Sequence, residues 1–135
     1  RMLRFPQRLE ALRHQMDDVV TNTGATIELW VGGDGETVTI PAAAQMADGW
    51  SGFGPPERFA QRRRLFEAEV LDCGRSLKDV STNVLATRHD RSVSLDDWRE
   101  AGASEVVVSI PPDGTGGYNV DMLRELCVQR GDEAL

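Results

Sequence analysis

The expected fold is α/β, half of a TIM-type (βα)8 barrel made of four parallel βα units preceded by one helix. Two features carry that expectation. Strand-like and helix-like runs alternate four times after an opening helix, with short connections, the pattern of parallel strands and right-handed crossovers. The 135 residues are enough for one domain only, and close to half of the roughly 250 that a closed eight-unit barrel takes. Four units alone leave two open strand edges and an uncovered inner face.

Phe5, Leu9, Leu12, Met16 and Val19 recur at helical spacing among Arg and Glu, so residues 1–24 are expected to hold an amphipathic helix. Pro6 suits its first turn and Asn22 to Gly24 end it; residues 25–135 then make the four βα units. Ile27-Glu28-Leu29-Trp30-Val31 reads as the first strand, stopped by Gly32-Gly33-Asp34-Gly35. From about Thr37 to Met46 the Ala-rich stretch reads as helix, with Pro41 tolerated in the first turn. Residues 49–53 are too glycine-rich for a helix and read as a brief second strand. Gly54-Pro55-Pro56-Glu57 opens a long helix with Phe59, Phe66 and Val70 on one stripe and Gly74 as its C-terminal cap.

Val80 to Thr87 is β-branched enough for a third strand, and Asp96 to Ala101 for a short helix closed by Gly102. Glu105 to Ile110 is the clearest strand in the chain. Pro111 to Gly117 is a breaker loop, and Val120 to Val128 reads as the last helix, with Met122, Leu123, Leu126 and Cys127 inward. Ile27, Leu29, Val31, Val84, Val106 and Val108 are expected on the inner face of the sheet.

Twenty-two acidic against fifteen basic residues give a formal charge of −7, the wrong sign for binding nucleic acid or an anionic membrane. No apolar stretch approaches the roughly 20 residues of a spanning helix and no signal core precedes the first helix, so a cytoplasmic location is expected. Cys73 and Cys127 form no CxxC and have no His at ligand spacing; they read as buried, reduced thiols, and no metal site is expected. The chain opens Arg1-Met2. Translation does not start at Arg, so Arg1 is expected to be a processing remnant or the chain to continue upstream.

Bare amides in a glycine loop that feeds a helix N-terminus are a ready anion site, which makes Gly32, Gly33 and Gly35 candidates for holding a phosphate. A tight strand-to-helix turn explains the same residues, and Asp34 and Glu36 set carboxylates where an anion would sit. Gly114, Gly116 and Gly117 form a rival anion loop before the last helix, with Asp113 at its edge. His89, beside Asp90, follows the third strand and reads as a solvated loop histidine or a group at the barrel mouth; His14 reads as surface. Thr82 and Asn83 either face that mouth or satisfy local backbone. Arg62-Arg63-Arg64 reads as a solvated helix face, the alternative being that one of the three reaches an anionic tail, and Trp30, Trp50 and Trp98 read as packing residues. No side chain stands out as an acid, base or nucleophile with its partner in reach, so catalytic residues are unknown.

Trp30-Val31-Gly32-Gly33, the paired alanines Ala43-Ala44, Ala47-Asp48-Gly49-Trp50 and Pro56-Glu57 occur in one order. Further on stand Cys73-Gly74-Arg75, Asp97-Trp98, Gly102-Ala103 and Val106-Val107-Val108. This series, from about Ile27 to Leu126, resembles the C-terminal half of the luciferase-like monooxygenase superfamily. Those (βα)8-barrel oxidoreductases use FMN or the 8-hydroxy-5-deazaflavin coenzyme F-420. The resemblance implies that Gly32 and Gly33 contact the phosphate end of the cofactor. It also implies that the residues holding the reactive ring belong to the first half of the barrel, which this chain lacks.

The expected function is therefore a part of a flavin- or deazaflavin-dependent oxidoreductase, supplying the phosphate site and inactive by itself. The alternative is a non-catalytic half-barrel that binds a partner protein through its open face. In either case the expected partner is a second copy of the chain, as a homodimer, or a separate N-terminal half-barrel chain.

Overall fold

The computed structural model describes residues 4–86, 93–110, 112, 114–118, 120, 121, 124 and 125. Helix α1 (Phe5–Thr23) has Pro6 in its first turn and ends at Gly24, whose φ of 68° is the left-handed conformation that a side chain disfavours. Strand β1 (Trp30–Gly32) leads to α2 (Thr39–Met46), β2 (Gly49–Gly52) to α3 (Pro56–Asp72), and β3 (Ser81–Ala86) to α4 (Leu95–Glu100); β4 (Glu105–Val108) follows. The four strands form one sheet in the order β1-β2-β3-β4, every neighbouring pair parallel. The fold is α/β, consistent with half of a TIM-type barrel. Among residues beyond Gly117, positions 120, 121, 124 and 125 are helical; the rest of the expected last helix, with Cys127, lies outside the described residues.

The first strand starts later than the apolar run suggests, for a reason written in its hydrogen bonds. Leu29 gives its amide to the Asp48 carboxylate at 2.8 Å, and its carbonyl accepts the Asp48 and Gly49 amides. Residues 27 and 28 therefore precede the ladder, while Gly33 extends it by donating to the Ser51 carbonyl.

The core lies between the sheet and the helices. Trp50 stacks on Phe59 and Phe66, with ring centroids 5.7 and 5.6 Å apart, and Trp98 of α4 meets Phe59 edge-on at 6.1 Å. All four rings are buried, with Ile40, Ala43, Ala44, Val70 and Val84 around them. The paired alanines let α2 lie close to its neighbours, and a side chain at Gly52 would strike Phe59 and Trp50. Glycine at the end of β2 is thus a packing requirement.

Strand alternation corrects the expected inner face. Trp50 points to the helices, so its register partners and the residues two along, Val31, Val84, Val106 and Val108, do too; Val31 and Val84 are buried there. The face without helices carries Trp30, Gly32, Ser51, Asn83, Leu85, Glu105 and Val107 instead, and Val107 is 44% exposed. It mixes polar and apolar side chains where a continuous apolar surface was expected.

Helix α1 also buries less than its spacing promises. Leu9 enters the core and Phe5 and Met16 lie against it, but Leu12 and Val19 remain exposed because α1 leans on α2 along a narrow seam. Its firmest tie is polar. Arg13 donates to the Asp48 carboxylate at 2.5 Å, beside the Leu29 amide on the same oxygen. Cys73, expected buried, is exposed. It caps α3, where the helix stops at Gly74.

Candidate functional site

The loops that leave the C-terminal ends of parallel strands are where such sheets bind ligands. Residues 33–38 after β1 and 53–55 after β2 lie at that end. Gly33 has a φ of 132°, and a Cβ there would come within 2.9 Å of Thr39 Cγ2. Both facts require glycine. A Cβ on Gly35 would lie 3.0 Å from Thr39 Oγ1. Gly32 differs, since a Cβ there would find only ordinary contacts, 3.7 Å from Phe53 and 3.9 Å from Ser51.

The hydrogen bonds sort the loop's amides. Gly33 spends its own on the Ser51 carbonyl, and its carbonyl accepts the Trp50 indole at 2.7 Å. Residues of β1 bond alternately to the two sides, so with Gly33 and Leu29 turned toward β2 the amide of Gly32 faces the open edge. The amides of Asp34 to Val38 donate no hydrogen bond among the described residues. They lead into α2, whose first bond outside the helix runs from the Ile40 amide to the Gly35 carbonyl at 2.9 Å.

Arginines from α3 neutralise the two carboxylates of this loop. Arg58 pairs with Asp34 and Arg62 with Glu36. Arg62 is only 18% exposed, and its Nε is buried without a hydrogen-bond partner among the described residues; Nη1 meets Glu36 as a charge contact without hydrogen-bond geometry. Arg63 lies over Gly102, where a Cβ would come within 2.5 Å of its Cζ, and pairs with Glu67. Of the three arginines expected on a solvated face, only Arg64 is exposed. The partial burial of Arg62 and Arg63 follows from long aliphatic stems lying along the packed surface, and the Nε of Arg63, like that of Arg62, is buried without a hydrogen-bond partner among the described residues.

The remaining candidates separate. Gly114 and Gly116 have φ of 83° and 93° in an exposed loop closed by an antiparallel bridge between Pro112 and Tyr118, with Gly117 half-buried beside it. His89 and Asp90 lie outside the described residues, and His14 is exposed on α1. Thr82 shares the helix side with Trp50, whereas Asn83 is on the open face between Ser51 and Glu105. Asn83 is 8% exposed, and its Oδ1 is buried with no partner among the described residues. Sequence reasoning missed Arg58 and the burial of Arg62; a basic residue one helical turn before the arginine triplet was the available signal.

Asp48 belongs to the other end of the sheet. Burial raises its pKa, but the Arg13 hydrogen bond, the Leu29 amide and the charges of Arg13 and Arg75 together outweigh that and hold it below the ordinary carboxylate value. Gly49, next to it, underlies the Trp30 ring, and a Cβ would fall 2.5 Å from that ring. Arg75 reaches the Ala44 carbonyl at the end of α2 at 2.7 Å. The Ala-Asp-Gly-Trp run and the Gly-Arg step thus have structural work to perform beneath the loop.

The α/β fold with its parallel sheet has counterparts among solved proteins. An F420-dependent secondary alcohol dehydrogenase, in complex with an F420-acetone adduct, matches with a TM-score of 0.57 at 12% identity, over 78% of this chain and 49% of that one. The shared property is the fold. A coenzyme F420-dependent tetrahydromethanopterin reductase from Methanopyrus kandleri matches with a TM-score of 0.48 at 13% identity, over 62% of this chain and 45% of that one. The chain thus matches about half the length of either structure. No family model and no curated protein matches the sequence. Among the described residues no helix is long and apolar enough to cross a membrane, and no three His, Cys, Asp or Glu side chains gather as a metal site.

Proposed function

We propose that this chain is the phosphate-holding half of a luciferase-like oxidoreductase that uses the deazaflavin coenzyme F420. The observation that carries the reading is the β1–α2 loop. It lies at the C-terminal end of a parallel sheet, and among the described residues the amides from Asp34 to Val38 donate to nothing and a buried arginine donor beside them, Arg62 Nε, has no partner. These groups fit a phosphate. The fold shared with an F420-dependent dehydrogenase supports the deazaflavin over FMN.

In this reading the loop amides and the Gly32 edge amide hold the phosphate, and Trp50 keeps the loop in shape through its bond to Gly33. The open face, with Ser51, Asn83 and Leu85, lines the side on which the ring would lie. Bound F420 supplies hydride transfer. The groups that hold its ring belong to a complementing half, a second copy or an N-terminal half-barrel, so the chain alone should not turn over substrate.

Titrating the isolated chain with F420 and separately with FMN, followed by absorbance and fluorescence, tests the reading. Saturable change with F420 is the expected result. Silence with both would favour a half-barrel that binds only another protein, and turnover by the chain alone would show that ring-binding groups are present after all.

A further inference from the structure

Arg58 and Arg62 lie one turn apart on the same face of α3, and each reaches a different carboxylate of one short loop, Asp34 and Glu36 respectively. The arrangement is formally neutral. We propose that Arg58 and Arg62 are the anion-binding side chains of this site and that Asp34 and Glu36 are their resident counter-ions, displaced when a phosphate ester arrives. The proposal rests on the preceding reading only for what carries the phosphate.

Three properties make the exchange favourable. Glu36 is 54% exposed, so it can swing into water without desolvation, and exposed ion pairs of this kind hold weakly. Arg62 cannot follow it, because its stem is packed and its head stays beside the loop. Its buried Nε is a donor that Glu36 leaves unmet among the described residues, and a phosphate can engage two edges of a guanidinium fork at once. The acidic residues, which on composition alone argue against an anion site, then keep it electrically balanced until the anion binds.

Calorimetric titration of the full chain with inorganic phosphate, and in parallel with F420, tests this in the wild type and three variants: Arg58→Gln, Arg62→Gln and the double substitution Asp34→Asn with Glu36→Gln. Loss of the resident carboxylates should tighten phosphate binding about five-fold or more, and each arginine substitution should weaken it by roughly ten-fold. If the ion pairs only fasten the loop to α3, the acid-to-amide variant will bind no tighter than wild type, and the proposal is overturned. Phosphate binding that ignores both arginines, or is absent from all four proteins, overturns it too. Arg58 is half exposed, so its substitution should leave the melting temperature unchanged and keep the test clean if Arg62→Gln unfolds. The expected phosphate ranking without F420 binding would uphold the exchange and reject the cofactor reading. F420 binding of equal strength in all four proteins would reject the exchange and uphold the cofactor reading.

Discussion

Two adjacent glycines in the β1–α2 turn have different reasons to be glycine. Gly33 is fixed by a positive φ and by Thr39, so Gly33→Ala should destabilise the chain by about 1–3 kcal/mol in urea unfolding. A loss of ligand binding in any Gly33 variant would therefore report damage to the loop. Gly32 is free of both constraints, and Gly32→Ala should leave stability within about 0.5 kcal/mol of wild type while placing a methyl on the open face, where F420 affinity should fall. Asp48 makes a second residue-scale prediction. Because its folded pKa is lowered, its stabilisation is full above the ordinary carboxylate value of about 4 and is lost as pH falls through the lower folded value. Asp48→Ala should lower stability by about 1–2 kcal/mol at pH 7, with the gap to wild type closing as unfolding is followed down to pH 2.

At the scale of elements, the order and the parallel pairing were legible because glycine breaks and β-branched runs mark where strands begin and end. The aromatic stripe of α3 was legible too, since Phe59, Phe66 and Val70 keep a helical period and all are buried. Which way the strands face was not. Val106-Val107-Val108 is an unbroken apolar run, and such a run carries no alternation from which a side can be assigned; only Trp50 stacking on α3 settles it. The glycine loop of the site was legible as a possible anion cradle, and Arg62 only as one of three arginines that could reach an anion; Arg58 was not legible, because nothing local says that a helix some twenty residues on will pass over the loop. Ser94 holds α4 with a full capping box, its hydroxyl accepting from the Asp97 amide at 3.1 Å and its amide donating to the Asp97 carboxylate. Ser94→Ala should cost about 1 kcal/mol, whereas Phe59→Ala, emptying the space between Trp50 and Trp98, should cost about 3–5 kcal/mol; chemical denaturation separates the two.

For the whole molecule, the sheet face away from the helices bears on its expected state in solution. Among the described residues it bears Trp30, Leu85 and Val107 and an Asn83 oxygen without a partner, and β1 and β4 are the edge strands of the sheet. The expected outcome is an assembly heavier than one chain in analytical ultracentrifugation, and a folded species of single-chain mass would refute the need for a complementing half. The same face has an optical consequence. Of the three tryptophans, Trp50 and Trp98 are sealed in the core, while Trp30 lies half-buried across Gly49 with its indole nitrogen donating to Glu28 at 2.9 Å. Acrylamide should therefore quench one emitter of three, the red-shifted one, and a partner settling over the sheet should protect it. Trp30→Phe removes that signal and leaves the other two, so the chain carries its own dye for watching whether anything covers this face.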